Sequence, residues 1–323
     1  MDFVLAVIVV LGGAATFVYG LKLLGEGTEK LVGAKLKKFV AGCVEKPFGG
    51  FLAGAAVTMV AVGLAEAGAI TFLQAAPVVM GANVGTTVTA QFIAIFGRGG
   101  DYKSAVGALA AAAGVIFGFF KNKTLKNVGD ALVGFGLMLS GLSALSGRIN
   151  ALKSYDFLSG FAYVDNPFLL FLFGAAVAAV TQSSSAITGI LITFSENSFA
   201  AFYRAIFIIT GSNVGSCAAV ILSSANKSEP AREAAVFNFV FNAFGAILFL
   251  PILVAAKNFL PVIFPHSATD AGRAMADFHT VFNLLSSLAA FPLLKFLCGV
   301  TQKLVAGQKR ALRRKFSKNK KTA

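Results

Sequence analysis

The chain has 323 residues, of which 57% are hydrophobic and 13% charged, with a formal net charge of +14 and a mean hydropathy of +0.78. A soluble domain carries about 25% charged residues, so the composition points away from one and towards a single large membrane domain. Cys43, Cys217 and Cys298 are odd in number and far apart, which excludes a disulfide framework or a Cys-x-x-Cys metal site, and two histidines exclude a His-rich centre.

Apolar segments follow one another at 3–24, 49–65, 70–96, 104–120, 128–147, 168–194, 201–224, 234–256 and 278–300. A helical crossing needs roughly 20 residues, and several segments meet that length. The first, Phe3 to Leu24, has no basic stretch before it and no convincing cleavage site, so it is expected to be a retained span and not a signal peptide. Segments 49–65 and 104–120 are short, and 168–194 is interrupted by polar residues. Glu66 and Arg204 are expected near segment ends. From Lys303 to Lys321 there are nine Lys and Arg and no acidic residue. Beside a hydrophobic segment this run reads as a cytoplasmic tail, 301–323, obeying the positive-inside rule and touching anionic lipid, not as a nucleic-acid arm. An aromatic belt would rest on Tyr and Phe, because Trp is absent. The expected fold is all-α and polytopic.

The interruption in 168–194 is Thr181-Gln182-Ser183-Ser184-Ser185-Ala186-Ile187-Thr188, five hydroxyls and one amide in eight residues. Such groups are costly at bilayer depth unless protein, water or a ligand satisfies them. A helix broken there offers carbonyl oxygens to a hard cation such as sodium, and hydroxyls with N–H groups at a helix N-terminus to an oxyanion. The competing reading is that the hydroxyls bond back to their own helix.

The chain reads as two related halves. Gly20–Leu24 resembles Gly136–Ser140, Gly54–Val57 resembles Gly174–Val177, Gly81–Thr87 resembles Gly211–Cys217, and Gly114–Phe117 resembles Gly245–Leu248. The shared order sets a first repeat at 1–127 and a second at 128–300. Between the Gly-Ala-Ala-Val and Gly-x-Asn-Val-Gly elements the first half is ten residues shorter. Thr58-Met59 passes there straight into Val60–Gly63, where the second half carries its Gln-Ser-Ser-Ser run. Asn238 and Asn242 align with Gly107 and Ala111, so a second polar face is blank in the first half. Interrupted segments at matching positions of two repeats mark transporter binding sites.

The candidate ligand groups are therefore Gln182, Ser183, Ser184, Ser185 and Thr188, with Asn83, Thr86, Thr87, Asn213 and Ser216 from the paired Gly-x-Asn-Val-Gly elements. Gln182, Ser183 and Ser184 are the expected sodium ligands. Asn238 and Asn242 share a helix face by their spacing of four, as do His279 and Asn283, and these four with Thr280 are expected to support the site. Ser183 to Ser185 have no adjacent base and no Gly-x-Ser-x-Gly elbow surrounds them. No phosphate-binding Walker loop occurs either. An enzyme or an ATP-driven pump is disfavoured.

These motifs together resemble the sodium-dependent phosphate cotransporter family, the type II group with its bacterial relatives. The resemblance rests on Thr181–Ala186, Gly81–Thr87, Gly211–Gly215, Ala235–Asn242 and Phe278–Asn283. It implies an inverted repeat with re-entrant or broken helices, and inorganic phosphate meeting sodium, the coupling ion, between the halves at Gln-Ser-Ser-Ser motifs from both. No other cofactor is implied. It also implies sodium–phosphate symport by alternating access in a bacterial inner membrane. The sequence departs from the pattern in carrying one such motif. A non-transporting partner or regulator of the same fold, a channel, and a transporter of another small anion are the competing classes.

Overall fold

A computed structural model describes residues 3–56, 65, 68–96, 102–153 and 164–319. Among them every regular element is helical. In chain order these are α1 (Phe3–Cys43), α2 (Pro47–Ala56), α3 (Phe72–Phe96), α4 (Tyr102–Gly118), α5 (Lys123–Lys153), α6 (Pro167–Thr181), α7 (Ser184–Phe194), α8 (Phe199–Ser224), α9 (Glu229–Ala255), the single turn α10 (Leu260–Ile263), α11 (Ala271–Ala290) and α12 (Leu294–Asn319).

Five stretches are long and apolar enough to cross a membrane: Val7–Thr28, α3, Lys123–Leu145, α8 and α9. Two further candidates are bent pairs, α6 with α7 at 120° and α11 with Leu294–Gln308 of α12 at 90°. The chain is an all-α polytopic membrane protein with broken helices.

Several expected boundaries move. The first span lies inside a helix of 41 residues: no proline occurs between Leu24 and Pro47 to stop it, and the helix runs on through Gly25, Gly27, Gly33 and Gly42. The 128–147 segment lies within the 31 residues of α5. Segment 278–300 is not one continuous helix. Phe291–Leu293 forms a 3₁₀ turn, and Pro292 within it removes a backbone donor and crowds the preceding turn, so the helix turns there. The basic run expected as a tail continues α12 as far as Asn319. Segment 49–65 is helical over Pro47–Ala56. The rest of it, with the Thr58-Met59 junction, lies outside the described residues except Ala65, as does Glu66. Arg204 pairs with Asp165, its Nε donating to Oδ1 at 2.7 Å.

The chain forms two compact units, residues 1–36, 87–216 and 250–281, and residues 37–86, 217–249 and 282–323. In the first unit α1 and α5 run antiparallel in glycine-mediated contact. A methyl group at Gly20 would meet the Met138 amide, and one at Gly134 the Leu24 amide. One at Gly141 would meet the Phe17 amide. Small residues let helices approach closely where lipid supplies no hydrophobic drive between them. Phe202, Phe264 and Phe278 form an aromatic cluster with ring centroids 5.4 to 6.5 Å apart, each pair contributing about 0.5–1.5 kcal/mol beyond burial.

Helices α6 and α8, also in the first unit, cross at three glycines. Added methyl groups at Gly174, Gly211 and Gly215 would strike the carbonyl oxygens of Ile208, Phe171 and Ala175. In the second unit α2 crosses α3 in the same way. Methyl groups at Gly54, Gly81 and Gly85 would strike the carbonyl oxygens of Val78, Phe51 and Ala55. The glycines aligned in the sequence thus make the same close crossing twice. After the first crossing helix the chain reaches Phe72 through residues 57–71. After the second it reaches the equivalent Phe202 through residues 177–201, which include the break.

Candidate substrate and ion site

Helix α6 starts where Asn166 Oδ1 accepts from the amides of Phe168 and Leu169, at 3.0 and 3.1 Å, with Pro167 at the first helical position. It ends at Gln182, whose φ of 59° and ψ of 22° are left-handed. Gln182 is the one non-glycine residue with positive φ among the described residues. Holding a non-glycine residue there costs on the order of 1–3 kcal/mol, a kind of strain that collects at functional sites. The Gln182 amide still donates to Ala178 O at 2.8 Å, closing the helix. Ser183 is extended, and its Oγ accepts from the Ala186 amide at 3.1 Å, starting α7. The expected interruption is therefore a C-cap and an N-cap back to back.

This break exposes two opposite partial charges within three residues. The last carbonyls of α6 carry the negative end of its dipole, and the first amides of α7 carry the positive end. Gln182 is exposed and Ser183, Ser184 and Ser185 are half-buried. The Gln182 side chain and the Ser184 hydroxyl have no partner among the described residues. Thr188, one turn into α7, is fully buried and its Oγ1 has no hydrogen-bond partner there. Thr181 instead bonds back to Val177 O at 3.0 Å, following the structural alternative. The donor set is neutral oxygen plus amide N–H, which fits both a hard monovalent cation and an oxyanion. If it serves a ligand, Ser184→Ala and Gln182→Ala will leave the protein folded and abolish ligand-dependent stabilisation, about 2.7 kcal/mol at 100 times the dissociation constant. Thermal shifts with sodium and phosphate measure it, and an undiminished shift assigns both residues to structure alone.

In the same unit His279 Nε2 lies 3.3 Å from Asn213 Oδ1, both residues being buried. The Ser216 hydroxyl donates to Asn213 O at 3.0 Å, which ties it to its own helix. Thr87 is also buried in this unit.

The second unit holds a knot of amides. Asn83 Nδ2 donates to Asn238 Oδ1 at 2.8 Å, and Asn242 Nδ2 reaches Asn238 Oδ1 at 3.0 Å and Asn83 Oδ1 at 3.1 Å. Cys217 Sγ lies 3.5 Å from Asn242 Nδ2. The Thr86 hydroxyl donates to Asn83 O at 2.6 Å. Asn283 is buried here, its carbonyl accepting from Ser287 Oγ at 2.8 Å. Asn238 and Asn242 thus hydrogen-bond to Asn83. Sequence reasoning missed one group in the first unit: Gln91 bridges Asp277 and Thr280, and Arg273 pairs with Asp277. The Arg273/Asp277 spacing of four on an apolar helix was its one available signal.

The family described as Na+/Pi-cotransporter matches residues 16–147 and again 157–290. The chain belongs to the Na+/Pi-cotransporter family. Membership points to a transporter and not to an enzyme. Among curated relatives, the "Uncharacterized protein YqeW" of Bacillus subtilis is 28% identical over 86% of this chain and 91% of its own length. The "Putative inorganic phosphate export protein YjbB" is 23% identical in Salmonella typhimurium, over 91% of this chain and 55% of the relative. In Escherichia coli K12 the figures for YjbB are 25%, 87% and 52%. This cotransporter-family chain spans about half the length of the YjbB proteins. No solved structure matches it significantly.

Proposed function

We propose that the chain moves inorganic phosphate across the bacterial inner membrane together with sodium, by alternating access, at a site built on the Gln182–Ser185 break. The observation that carries this reading is the left-handed Gln182 followed by the Ser183 cap, which presents carbonyls and amides side by side. Sodium is assigned to Gln182, Ser183 and Ser184 with the carbonyls of α6, and phosphate to the hydroxyls and amides opening α7. Thr87, Thr188, Asn213 and Ser216 of the same unit are assigned to the ligand set with them. The antiparallel contact of α1 with α5 supports an inverted repeat, because the aligned segments Gly20–Leu24 and Gly136–Ser140 lie on these two helices. The repeats are 1–127 and 128–300, and the basic end of α12 faces the cytoplasm.

Labelled phosphate uptake into vesicles, with sodium or choline outside, tests the coupling. Uptake should require sodium, and equal uptake in both salts overturns it. The relatives named for phosphate export favour a second reading, in which the same site works outward. Vesicles preloaded with phosphate and free of sodium on both sides distinguish the two: a sodium symporter retains the phosphate and a sodium-independent exporter releases it.

A further inference from the structure

Three residues of α11 share one face: Arg273, Asp277 and Thr280, spaced at four and three. Asp270 Oδ1 accepts from the Arg273 amide at 2.9 Å and fixes the start of this helix. Gln91 of α3 meets the same face. Its Nε2 lies 3.0 Å from Asp277 Oδ1 and 3.0 Å from Thr280 Oγ1. Arg273 Nε lies 3.3 Å from that same Oδ1. Arg273 and Gln91 therefore meet at one carboxylate oxygen, while the Thr280 hydroxyl donates to Ala276 O at 3.1 Å. Asp277 Oδ2 and Gln91 Oε1 have no partner among the described residues. All four residues belong to the first unit.

A carboxylate on a membrane-crossing element is costly and marks a pathway or an ion site. The bland account is a neutralising ion pair. Yet the pair has a single contact through Nε, and its side chains are 39% and 34% exposed. An exposed pair of this kind adds little stability. What the cluster does have is an excess of oxygen acceptors: both carboxylate oxygens, a hydroxyl and an amide oxygen reached by rotating Gln91. That is a ligand set for a hard, small cation.

We propose that Asp277, Thr280 and Gln91 bind a monovalent cation, for which the Arg273 guanidinium is a built-in competitor at Asp277. In the absence of the cation, Arg273 and the Gln91 amide nitrogen cover the carboxylate. On binding, Arg273 swings off and Gln91 turns its oxygen inward. This second cation position extends the sodium-coupled reading above and is separate in sequence from the Gln182–Ser185 break.

The test is thermal unfolding of the full-length protein in lipid nanodiscs, titrated with sodium chloride against choline chloride at constant ionic strength, with potassium and lithium as further arms. A cation site makes the two charge-removing variants act in opposite directions. Arg273→Gln should lower the half-saturating sodium concentration, and Asp277→Asn should raise it about tenfold or abolish the response, a factor equal to about 1.4 kcal/mol. Thr280→Val should raise it less. An ion pair that only braces the helix makes Arg273→Gln and Asp277→Asn equally destabilising with an unchanged sodium response, and that result overturns the proposal. So does a wild-type protein that no monovalent cation stabilises. If Asp277→Asn does not fold, Arg273→Gln decides alone: tighter sodium supports the site and unchanged sodium rejects it. The stabilisation by phosphate at fixed sodium is recorded separately and reports on the Gln182–Ser185 reading, so each idea can fail without the other.

Discussion

Gly211→Ala and Gly81→Ala will each destabilise the protein by roughly 3 kcal/mol or more, the upper end of overpacking costs. A lone methyl group is enough, because it would land on the carbonyl oxygens of Phe171 and Phe51, which belong to the main chain of the crossing helix. A side chain could rotate away, but a helix backbone moves only as a whole. Relief requires separating α6 from α8, or α2 from α3, along a crossing that two further glycines also hold close. The control is Gly12→Ala on α1, where nothing lies within 4 Å of the new atom. There the same substitution should stabilise by up to about 1 kcal/mol through helix propensity. Thermal melts and size-exclusion profiles in one detergent compare all three. Melting temperatures that fall equally, or not at all, would refute the close crossing.

Inserting a ten-residue segment patterned on Val180 to Gly189 after Met59 should raise sodium-dependent phosphate transport by about tenfold, or 1.4 kcal/mol of barrier. The matching glycine crossings put α2 in the position of the first part of α6. From there the first half reaches α3 through residues 57–71, whereas the second half uses 177–201 to complete α6, break, and build α7. On this account the unmodified chain supplies one Gln-Ser-Ser-Ser motif where the family pattern uses two, and it transports weakly. Initial rates of labelled phosphate uptake, with and without the insertion, measure it. If the unmodified chain already transports at a rate the insertion does not improve, one motif suffices. A variant in which the inserted serines are alanines separates added ligands from added length.

Local features were the most legible in the sequence. The break at Gln182–Ser183 is readable because six polar residues crowd into eight positions, more than bonding back to the helix absorbs: Thr181 bonds back, and Ser183 serves as the cap. The paired glycine elements were readable by their order, and their close crossings follow from the lack of a side chain. The bend at Phe291–Leu293 was not read, although Pro292 signals it, because continuous hydropathy across 278–300 masked the turn. The length of α1 is hidden for the opposite reason: hydropathy stops at Leu24 and glycines follow, yet the helix runs on to Cys43. Partnerships across the chain were hidden altogether. Gln91 looks like an isolated amide in α3 until Asp277 and Thr280, nearly two hundred residues later, close on its Nε2. Asn83 likewise gains meaning only from Asn238 and Asn242.

The glycine crossings also bear on how such a molecule can move. Sliding α8 along α6 by one helical turn would bring Phe207 against the Phe171 carbonyl in one direction, or Ala219 against the Ala175 carbonyl in the other. The same holds for α3 against α2, where Pro77 and Thr89 lie four residues before Gly81 and after Gly85. Each crossed pair behaves as a rivet: it transmits displacement but does not shear. Bending is cheapest where the helical hydrogen bonding is already interrupted, as at Gln182–Ser183 and around Pro292.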